Sequence, residues 1–470
     1  MLSVHGNRMK RNIRSFIGVA VLLVLCLLVS CDADTPTVKD DQTTTVTTEG
    51  NVGTPFEDDA NDTSNTTATP ADDTSVGNTP ESDTDRATDT QSEETTVEEI
   101  EEITTRDHDL FDLPLPAGDY ALTYENLGEL GSKHNVVYFV IDRFDWEYYV
   151  RARDKAPEIF YNLDNGGFTY YDDAISLYPR TFPSIAYMIT GVENDFSKSR
   201  TQYFESAYAG SLFMRRLYNV GYTVNVYTDT YYGYVNAACM ANYAANAQPV
   251  QNGQTAYSTD MRDIYTYLTK NGVRIGDSER SYTFIHLSGT HLPLLYDENF
   301  NPLPEGDAKA KDSTIGLKQS FAIINYYIDA MKRLGVYDNA TIIITGDHPS
   351  IGSDSAVPLR WAHVTPLFVK PSSSASGALM TSSAPVTHAD LFPTILKSEG
   401  IEGGMANVGR SVFEIPEGEL RERLYYFQKL EKIDGKTNYE MVIFAINGKA
   451  ADYANWVIRE RYYLGKSIYN

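Results

Sequence analysis

The chain has 470 residues, with 39 lysines and arginines against 64 aspartates and glutamates, and a net charge of −25 at pH 7. This acidic balance and the lack of a basic patch argue against nucleic-acid binding. The sequence has three cysteines, and the globular part keeps only Cys239, which we expect to pack in the core. An internal disulfide is therefore excluded, and a globular part of about 360 residues must rely on core burial.

The first 31 residues predict an export signal. An apolar run at 16–29 is too short for a comfortable membrane span and follows a basic start, formed by Arg8, Lys10, Arg11 and Arg14. Leu-Val-Ser-Cys, ending at Cys31, resembles the bacterial lipoprotein cleavage box, in which the cysteine becomes the lipidated first residue. We expect an extracytoplasmic protein, lipid-anchored to the bacterial cell membrane; the alternative is an ordinary signal peptide with a chance cysteine.

Residues 32–109 predict a disordered acidic, threonine-rich tether. They hold 23 acidic and 3 basic residues, and a segment so poor in apolar groups cannot offset its ordering entropy. A flexible coil of this length spans roughly 50 Å root-mean-square. The tether carries −20 and the signal +4, so residues 110–470 carry only −9. We interpret the tether as a solvated spacer; a cation-binding role for its acids is the alternative.

The globular part alternates predicted strands and helices. In chain order we predict strands at 136–141, 221–227, 281–287 and 340–345, and helices at 185–189, 208–218 and 317–334. This alternation predicts an α/β fold with a mostly parallel central sheet and helices on both faces. Residues 441–446 and 456–463 predict short antiparallel strands around an Asn-Gly turn. We therefore divide the chain into a catalytic domain at 110–401 and a small C-terminal subdomain at 402–470.

Polar residues follow two of the predicted strands. Asp142 ends the first apolar run, and Asp347 with His348 ends the run at 340–346. Thr181 lies at the head of a turn into a helix that closes at Gly191. In parallel sheets the site lies beyond the carboxyl ends of the strands, so these groups are expected to meet. Two acids and an imidazole can hold a divalent cation beside a hydroxyl nucleophile.

Six segments resemble the sulfatase-like branch of the alkaline phosphatase superfamily, in the family's order. The branch includes sulfatases, nucleotide phosphodiesterases, phosphoethanolamine transferases and lipoteichoic acid synthases. The segments are Asn-Val-Val-Tyr-Phe-Val-Ile-Asp (135–142), Tyr-Pro-Arg-Thr-Phe-Pro-Ser (178–184), Gly-Tyr-Thr-Val-Asn-Val-Tyr (221–227), Phe-Ile-His-Leu-Ser-Gly-Thr-His (284–291), Ile-Ile-Thr-Gly-Asp-His (343–348) and His-Ala-Asp-Leu-Phe-Pro-Thr-Ile-Leu (388–396). The resemblance implies an alkaline-phosphatase-like fold.

The resemblance also assigns roles to the metal ligands. Asp142, Asp347 and His348 would bind Mn²⁺, Zn²⁺ or Mg²⁺, and Thr181 would be both ligand and nucleophile. One metal site is expected and a second is possible. His286 stands where two-metal relatives have a ligand for the second metal, although we favour a buried strand histidine. His363 would complete a second site or contact substrate.

Other polar residues near these segments have weaker assignments. His291 resembles a pocket histidine of the transferases, which would bind the phosphate or protonate the leaving group. Arg180 would hold a phosphate oxygen, or is an exposed turn arginine. His388 is expected to pack at a helix start. Asp145 is an alternative to Asp142.

Thr181 separates the possible activities. In a sulfatase this position is a cysteine or serine, which is matured to an aldehyde and is followed by the motif Pro-Ser-Arg. This chain has threonine at the position, keeps Pro183 and Ser184, and has Ile185 where the arginine would stand. Oxidised threonine would be a ketone, which disfavours sulfatase chemistry. We expect a phosphoester hydrolase or phosphoryl-group transferase acting on a small-molecule, glycan or lipid-headgroup phosphoester of the cell envelope or outside the cell. The alternatives are a sulfuric ester hydrolase and a non-catalytic, surface-displayed binding lipoprotein.

Overall fold

The structure is a computed structural model that describes residues 106–230, 233–350, 364–402, 405, 409–433 and 436–463, with the backbone alone at 429–433 and 436–439. The signal, the lipoprotein box and most of the tether lie outside these residues, as does His363. Within the described ranges, no helix combines the length and the apolarity needed to cross a bilayer.

The strands and helices follow the predicted alternation. The strands are β1 (Tyr120–Leu122), β2 (Glu129–Leu130), β3 (His134–Ile141), β4 (Thr169–Tyr171), β5 (Thr223–Tyr227), β6 (Ala247–Pro249), β7 (Arg274–Ile275), β8 (Arg280–Leu287), β9 (Ala340–Gly346), β10 (Leu367–Lys370), β11 (Met380–Ser382), β12 (Glu422–Ile433), β13 (Lys436–Asn447) and β14 (Trp456–Tyr463). The α-helices are α1 (Trp146–Lys155), α2 (Tyr161–Asn165), α3 (Thr181–Thr190), α4 (Arg200–Ala209), α5 (Leu212–Asn219), α6 (Met261–Asn271), α7 (Ser313–Leu334) and α8 (Leu391–Ser398). Short 3₁₀ turns include Leu110–Asp112, His388–Asp390 and Tyr453–Asn455.

Seven strands form the central sheet, in the order β11-β4-β10-β9-β3-β8-β5. β3 pairs in parallel with both β8 and β9, and β5 pairs in parallel with β8. β10 is antiparallel to β9 and β4. The prediction of an α/β fold with a mostly parallel sheet is confirmed, and β3 lies at its centre.

Helices cover both faces of this sheet. Phe139 of β3 packs edge-on against Tyr327 of α7, with ring centroids 5.7 Å apart. Tyr282, which pairs with Val136 of β3, packs against Phe213 of α5 at the same distance. Because alternate residues of a strand point to opposite faces, α5 and α7 lie on opposite sides of the sheet. Both faces of the sheet are therefore buried under helices, which explains why its strands are uninterrupted runs of apolar residues.

Part of the local prediction was wrong. The predicted helix at 208–218 is two helices, since α4 ends at Ala209 and the Ser211 hydroxyl caps the start of α5 by accepting a hydrogen bond from Met214 N (3.1 Å). α4 itself begins with a capping box, in which Ser199 and Gln202 satisfy each other's backbone N–H groups. This capping box could have been recognised in the sequence.

The C-terminal strands form a separate antiparallel sheet in the order β12-β13-β14. β13 and β14 occupy the predicted positions, but residues 448–455 join them instead of a two-residue turn. β12 was not predicted. An apolar cluster attaches this sheet to the catalytic core, comprising Ile175, Val364, Tyr425, Val442, Phe444, Ile446, Ala450 and Trp456.

The first described residues already belong to the fold. The Arg106 guanidinium donates hydrogen bonds to Tyr218 O (2.7 Å) and Tyr222 O (2.9 Å) at the end of α5. Asp109 accepts hydrogen bonds from Arg215 and Asn219 of α5, and the Arg215 bond holds the Asp109 pKa at about 2. Residues 106–109, within the predicted tether, therefore contact α5.

A buried ion pair joins the two sheets. Arg423 of β12 is 1% exposed and donates hydrogen bonds to Asp173 Oδ2 (3.0 Å), Val386 O (3.2 Å) and Gly448 O (2.6 Å). Asp173 Oδ1 accepts a hydrogen bond from Ala450 N (2.7 Å). Each partner thus compensates the other's buried charge.

We predict that Asp173→Asn lowers the free energy of unfolding by about 3–5 kcal/mol, because the isosteric amide leaves the Arg423 charge unpaired. Combining it with Arg423→Met should cost less than the sum of the two single changes, with a coupling of at least about 1 kcal/mol. Urea unfolding measures all three variants. Glu422→Gln, which breaks an exposed pair with Arg459 in the same sheet, is the control and should cost under about 1 kcal/mol. Strictly additive costs would contradict the coupling.

Candidate metal centre

The central strands bring three metal-ligating side chains to one point. Asp142 follows β3, Asp347 follows β9, and His286 is the penultimate residue of β8. The register pairs Val140 with His286 and Ile141 with Gly346. One ligand atom from each of Asp142, His286 and Asp347 lies within 4.8 Å of the others, and all three residues are buried.

A second imidazole and the threonine hydroxyl lie beside this group. Thr181 is the first residue of α3, and its Oγ1 lies 3.2 Å from His348 Nε2. The same nitrogen lies 3.5 Å from Asp347 Oδ2 and 3.8 Å from Asp142 Oδ1. His348 Nδ1 lies 2.8 Å from Pro349 O. Since a carbonyl only accepts, Nδ1 carries the proton, and the Nε2 lone pair can either accept a hydrogen bond from Thr181 or bind a cation.

The geometry fits a divalent cation. Asp142 Oδ1, Asp347 Oδ2 and His286 Nε2 are buried and have no hydrogen-bond partner among the described residues. Burial, and then the Asp347 charge, raises the pKa of Asp142 well above its usual value. Burial lowers the pKa of His286 to about 4, so its imidazole is neutral. Buried acceptors that converge without donors need a cation.

Backbone groups and side chains also contact the ligand atoms that face away from the centre, and they fix the orientation of the ligands. Asp347 Oδ1 accepts hydrogen bonds from the backbone N–H of Arg143 (2.9 Å) and of His348 (2.8 Å), which leaves Oδ2 facing the centre. Thr228 Oγ1 lies 3.0 Å from His286 Nδ1. Such outer partners orient metal ligands. Neither Arg143 nor Thr228 was predicted, although Arg143 directly follows the strand-end acid Asp142 and Thr228 directly follows the buried strand β5.

Two predicted pocket residues lie at the rim. Arg180 is exposed at the N-cap position of α3 and donates no hydrogen bond to any residue that the structure describes. Burial, with the charges of Arg143 and Arg180 adding to it, lowers the pKa of His348. His291 lies in the loop after β8, and desolvation followed by the Arg143 and His348 charges lowers its pKa. Arg180 directly precedes Thr181, and His291 directly follows Thr290, whose hydroxyl donates a hydrogen bond to Asp142 O. Both residues are therefore near the centre.

Two other candidates have structural contacts instead. Asp145 caps α1, because Oδ1 accepts a hydrogen bond from Tyr148 N (2.8 Å) and Oδ2 accepts one from Ser350 N (3.1 Å). It is therefore not the alternative to Asp142 that the sequence allowed. His388 is buried with Nε2 3.4 Å from Thr345 Oγ1, as expected for packing. His286, for which a purely structural role was open, lies in the centre.

The Sulfatase family matches residues 134–401, more than half of the chain. The chain belongs to the sulfatase family. It is accordingly an enzyme, and the family is metal-dependent. No curated protein matches the sequence.

Solved structures are similar to this sulfatase-family chain at low identity. A protein of the alkaline phosphatase superfamily from Vibrio parahaemolyticus is 14% identical, with 72% of this chain and 81% of that chain covered and a TM-score of 0.48. The lipoteichoic acid synthase LtaP from Listeria monocytogenes is 13% identical, with 71% and 88% covered and a TM-score of 0.43. The phosphonate monoester hydrolase of Silicibacter pomeroyi is 15% identical, with 68% and 88% covered and a TM-score of 0.41. These similarities are too distant to bear on substrate.

A glycine holds the loop after β8 against the metal centre. Gly289 has φ +54°, and a Cβ there would lie 2.5 Å from Ile141 Cγ2 and 2.8 Å from Asp142 N. Thr290 Oγ1 donates hydrogen bonds to Asp142 O (3.0 Å) and Arg143 O (2.9 Å). The backbone that carries Asp142 is thus fixed by close contact with residues 289–290.

We predict that Gly289→Ala weakens Mn²⁺ binding in the sulfatase-family protein, because the added methyl displaces Asp142. Gly335 has a similar φ, +73°, with open space around it, so Gly335→Ala should cost only the backbone strain of about 1 kcal/mol. Calorimetric Mn²⁺ titration and urea unfolding measure both variants. Equal Mn²⁺ affinities in the two variants would contradict the contact argument.

We also predict that Asp142→Asn stabilises the chelator-treated protein and removes its stabilisation by Mn²⁺. The substitution removes one of two buried like charges and one metal ligand. Wild-type protein should gain about 2.7 kcal/mol when free Mn²⁺ is 100 times its Kd. Thermal unfolding with and without Mn²⁺ measures this, with the exposed Asp154→Asn as the charge control. If the Asp142→Asn variant gained the wild-type stabilisation from Mn²⁺, Asp142 would not be a ligand.

Proposed function

We propose that the protein is a metal-dependent phosphoester hydrolase or phosphoryl-group transferase with Thr181 as its nucleophile. The observation that carries this proposal is the position of the Thr181 hydroxyl, whose Oγ1 lies 3.2 Å from the lone-pair nitrogen Nε2 of His348, next to two buried carboxylates. A threonine at this position cannot supply the aldehyde that sulfatases need. A hydroxyl held against a metal-site imidazole suits direct attack on phosphorus.

The chain's own groups would share the chemistry. When bound, a divalent cation held by Asp142, Asp347 and the two imidazoles would lower the pKa of the attacking hydroxyl and neutralise the ester oxygens. The Thr181 hydroxyl gives up its proton to solvent as Oγ1 attacks phosphorus, and the bond to the leaving oxygen breaks. His291, which is exposed, donates a proton to this oxygen and takes one back from solvent. The N-terminus of α3 favours the negative charge that develops beside Thr181.

Release of the phosphothreonine decides between the two activities. Attack by water on phosphorus regenerates the Thr181 hydroxyl and gives hydrolysis, whereas attack by an acceptor hydroxyl gives transfer. Arg180, exposed at the start of α3, would hold an oxygen of the phosphoryl group in both steps. The same residues therefore serve either outcome.

The donor set supports a transition metal. Two imidazoles and two carboxylates suit Zn²⁺ or Mn²⁺ better than Mg²⁺, which prefers oxygen ligands and retains its waters. One site is proposed from Asp142, His286, Asp347 and His348. A second site that includes His363 stays a prediction.

The proposed substrates are phosphoesters of the cell envelope or outside the cell: small molecules, phosphorylated glycans or lipid head groups. The lipoprotein box at 28–31 and the acidic segment that follows support an extracytoplasmic, lipid-anchored enzyme with a catalytic domain ending near residue 401 and a C-terminal subdomain after it.

We predict that Thr181→Ala lowers turnover of bis(p-nitrophenyl) phosphate by at least about a thousandfold, because the nucleophile is removed. Thr181→Ser should keep most activity, since it keeps the hydroxyl. Steady-state kinetics of the Mn²⁺-loaded full chain measures both, with the exposed Thr201→Ala as the control.

Three outcomes would contradict the proposal. A Thr181→Ala variant that binds Mn²⁺ and keeps wild-type turnover would exclude Thr181 as the nucleophile. Turnover of an aryl sulfate but not of an aryl phosphate would identify a sulfatase. No turnover and no stabilisation by Mn²⁺ or Zn²⁺ would favour the non-catalytic binding lipoprotein.

A further inference from the structure

Arg143 directly follows the metal-centre residue Asp142 and has an unusual backbone. Its φ is +58°, in the left-handed region that non-glycine residues rarely occupy. This conformation directs its N–H to Asp347 Oδ1 (2.9 Å). Residues held in this region cost about 1–3 kcal/mol and cluster at functional sites. The backbone of Arg143 thus has a role at the centre, and its side chain is fixed next to it.

A hydrogen-bond network holds one corner of the guanidinium. Arg143 Nη2 donates to Ser350 Oγ (3.0 Å), which also lies 3.0 Å from Tyr148 OH. Ser350 N donates to Asp145 Oδ2, and Asp145 caps α1. The side chain is therefore fixed between the start of α1 and the segment that follows His348.

The rest of the guanidinium is unused within the described part of the chain. An arginine has five N–H donors, and one of them has a described acceptor. Arg143 forms no ion pair with any described carboxylate within 4.0 Å. Arg143 directly follows Asp142, and its Nη2 is held at Ser350, two residues after His348. The guanidinium is therefore held beside the two strand ends that carry the proposed metal ligands.

We propose that Arg143 binds the non-bridging oxygens of the transferred phosphoryl group, and that Ser350 and Tyr148 are its positioning residues. This inference rests on the proposed function and deepens it. A guanidinium presents two parallel N–H groups that match two oxygens of one phosphate. Charge in phosphoryl transfer is spread over the three equatorial oxygens, so a fixed arginine stabilises the reacting group and the product.

The direct test is binding of inorganic phosphate to the Mn²⁺-loaded full chain by calorimetry. Arg143→Asn removes the guanidinium and keeps a residue that tolerates positive φ. We expect it to weaken phosphate binding roughly 10- to 100-fold, with Mn²⁺ affinity changed less than about threefold, and to lower kcat/KM for bis(p-nitrophenyl) phosphate. Arg143→Lys should lose less phosphate affinity than Arg143→Asn, because lysine keeps the positive charge but lacks the two parallel N–H groups. Arg151→Asn, on the exposed face of α1, is the charge control.

The positioning residues have a separate readout. Ser350→Ala and Tyr148→Phe keep the Arg143 guanidinium but remove hydrogen bonds that position it. Each should therefore raise KM, and each should weaken phosphate binding by a smaller factor than Arg143→Asn does. Neither change should add to the effect of Arg143→Asn in the double variants. Full additivity would contradict a role through Arg143.

The outcomes separate this inference from the proposed function. An active wild type whose phosphate affinity is unchanged in Arg143→Asn overturns the inference alone. A parallel loss of Mn²⁺ affinity also overturns it, because Arg143 would then act only on Asp347. A wild type without phosphoester turnover contradicts the proposed function itself.

Discussion

The structure depends on keeping two carboxylates, Asp142 and Asp347, close together in the protein interior. Burial disfavours each charge and their proximity disfavours having both. The fold compensates in two ways: backbone N–H groups donate hydrogen bonds to Asp347 Oδ1, and neutral imidazoles lie beside the remaining carboxylate oxygens. What these contacts leave unsatisfied is a concentrated negative charge, which selects a small, highly charged cation and little else. Metal binding and folding of this region are therefore linked.

The sheet topology makes this arrangement rigid. β3 lies between β8 and β9, so the residues that follow or end these strands have neighbours on both sides. The proposed nucleophile, Thr181, comes from a different element, the first turn of α3. The position of Thr181 relative to the two carboxylates therefore depends on how α3 packs, and it does not depend on the register of the sheet.

The sequence predicted what continuous apolar runs encode. The strands before Asp142 and Asp347 are buried on both faces, so their continuous apolar runs could be recognised in the sequence. Because both were predicted to be parallel strands, the two acids were expected at the same carboxyl-terminal edge of the sheet. β12 was missed because charged residues interrupt its pattern, including Arg423, whose burial only its partner explains. Arg143 was missed because its role depends on a left-handed backbone and on Ser350, which lies 207 residues away. Asp145 was ambiguous because a helix cap and a metal ligand use the same side chain.

The N-terminal contact has a mechanical consequence. Arg106 and Asp109 bind the end of α5 next to Tyr222, where β5 begins, and β5 pairs through β8 with the start of β3. From Asn135 to Asp142 the strand rises about 23 Å. A force applied to the chain at Arg106 is thus met first by the hydrogen bonds of Arg106 and the ion pair of Asp109 with α5, beside the edge strand β5. β3 and β9, which end at the proposed metal ligands, lie two and three strands further into the sheet.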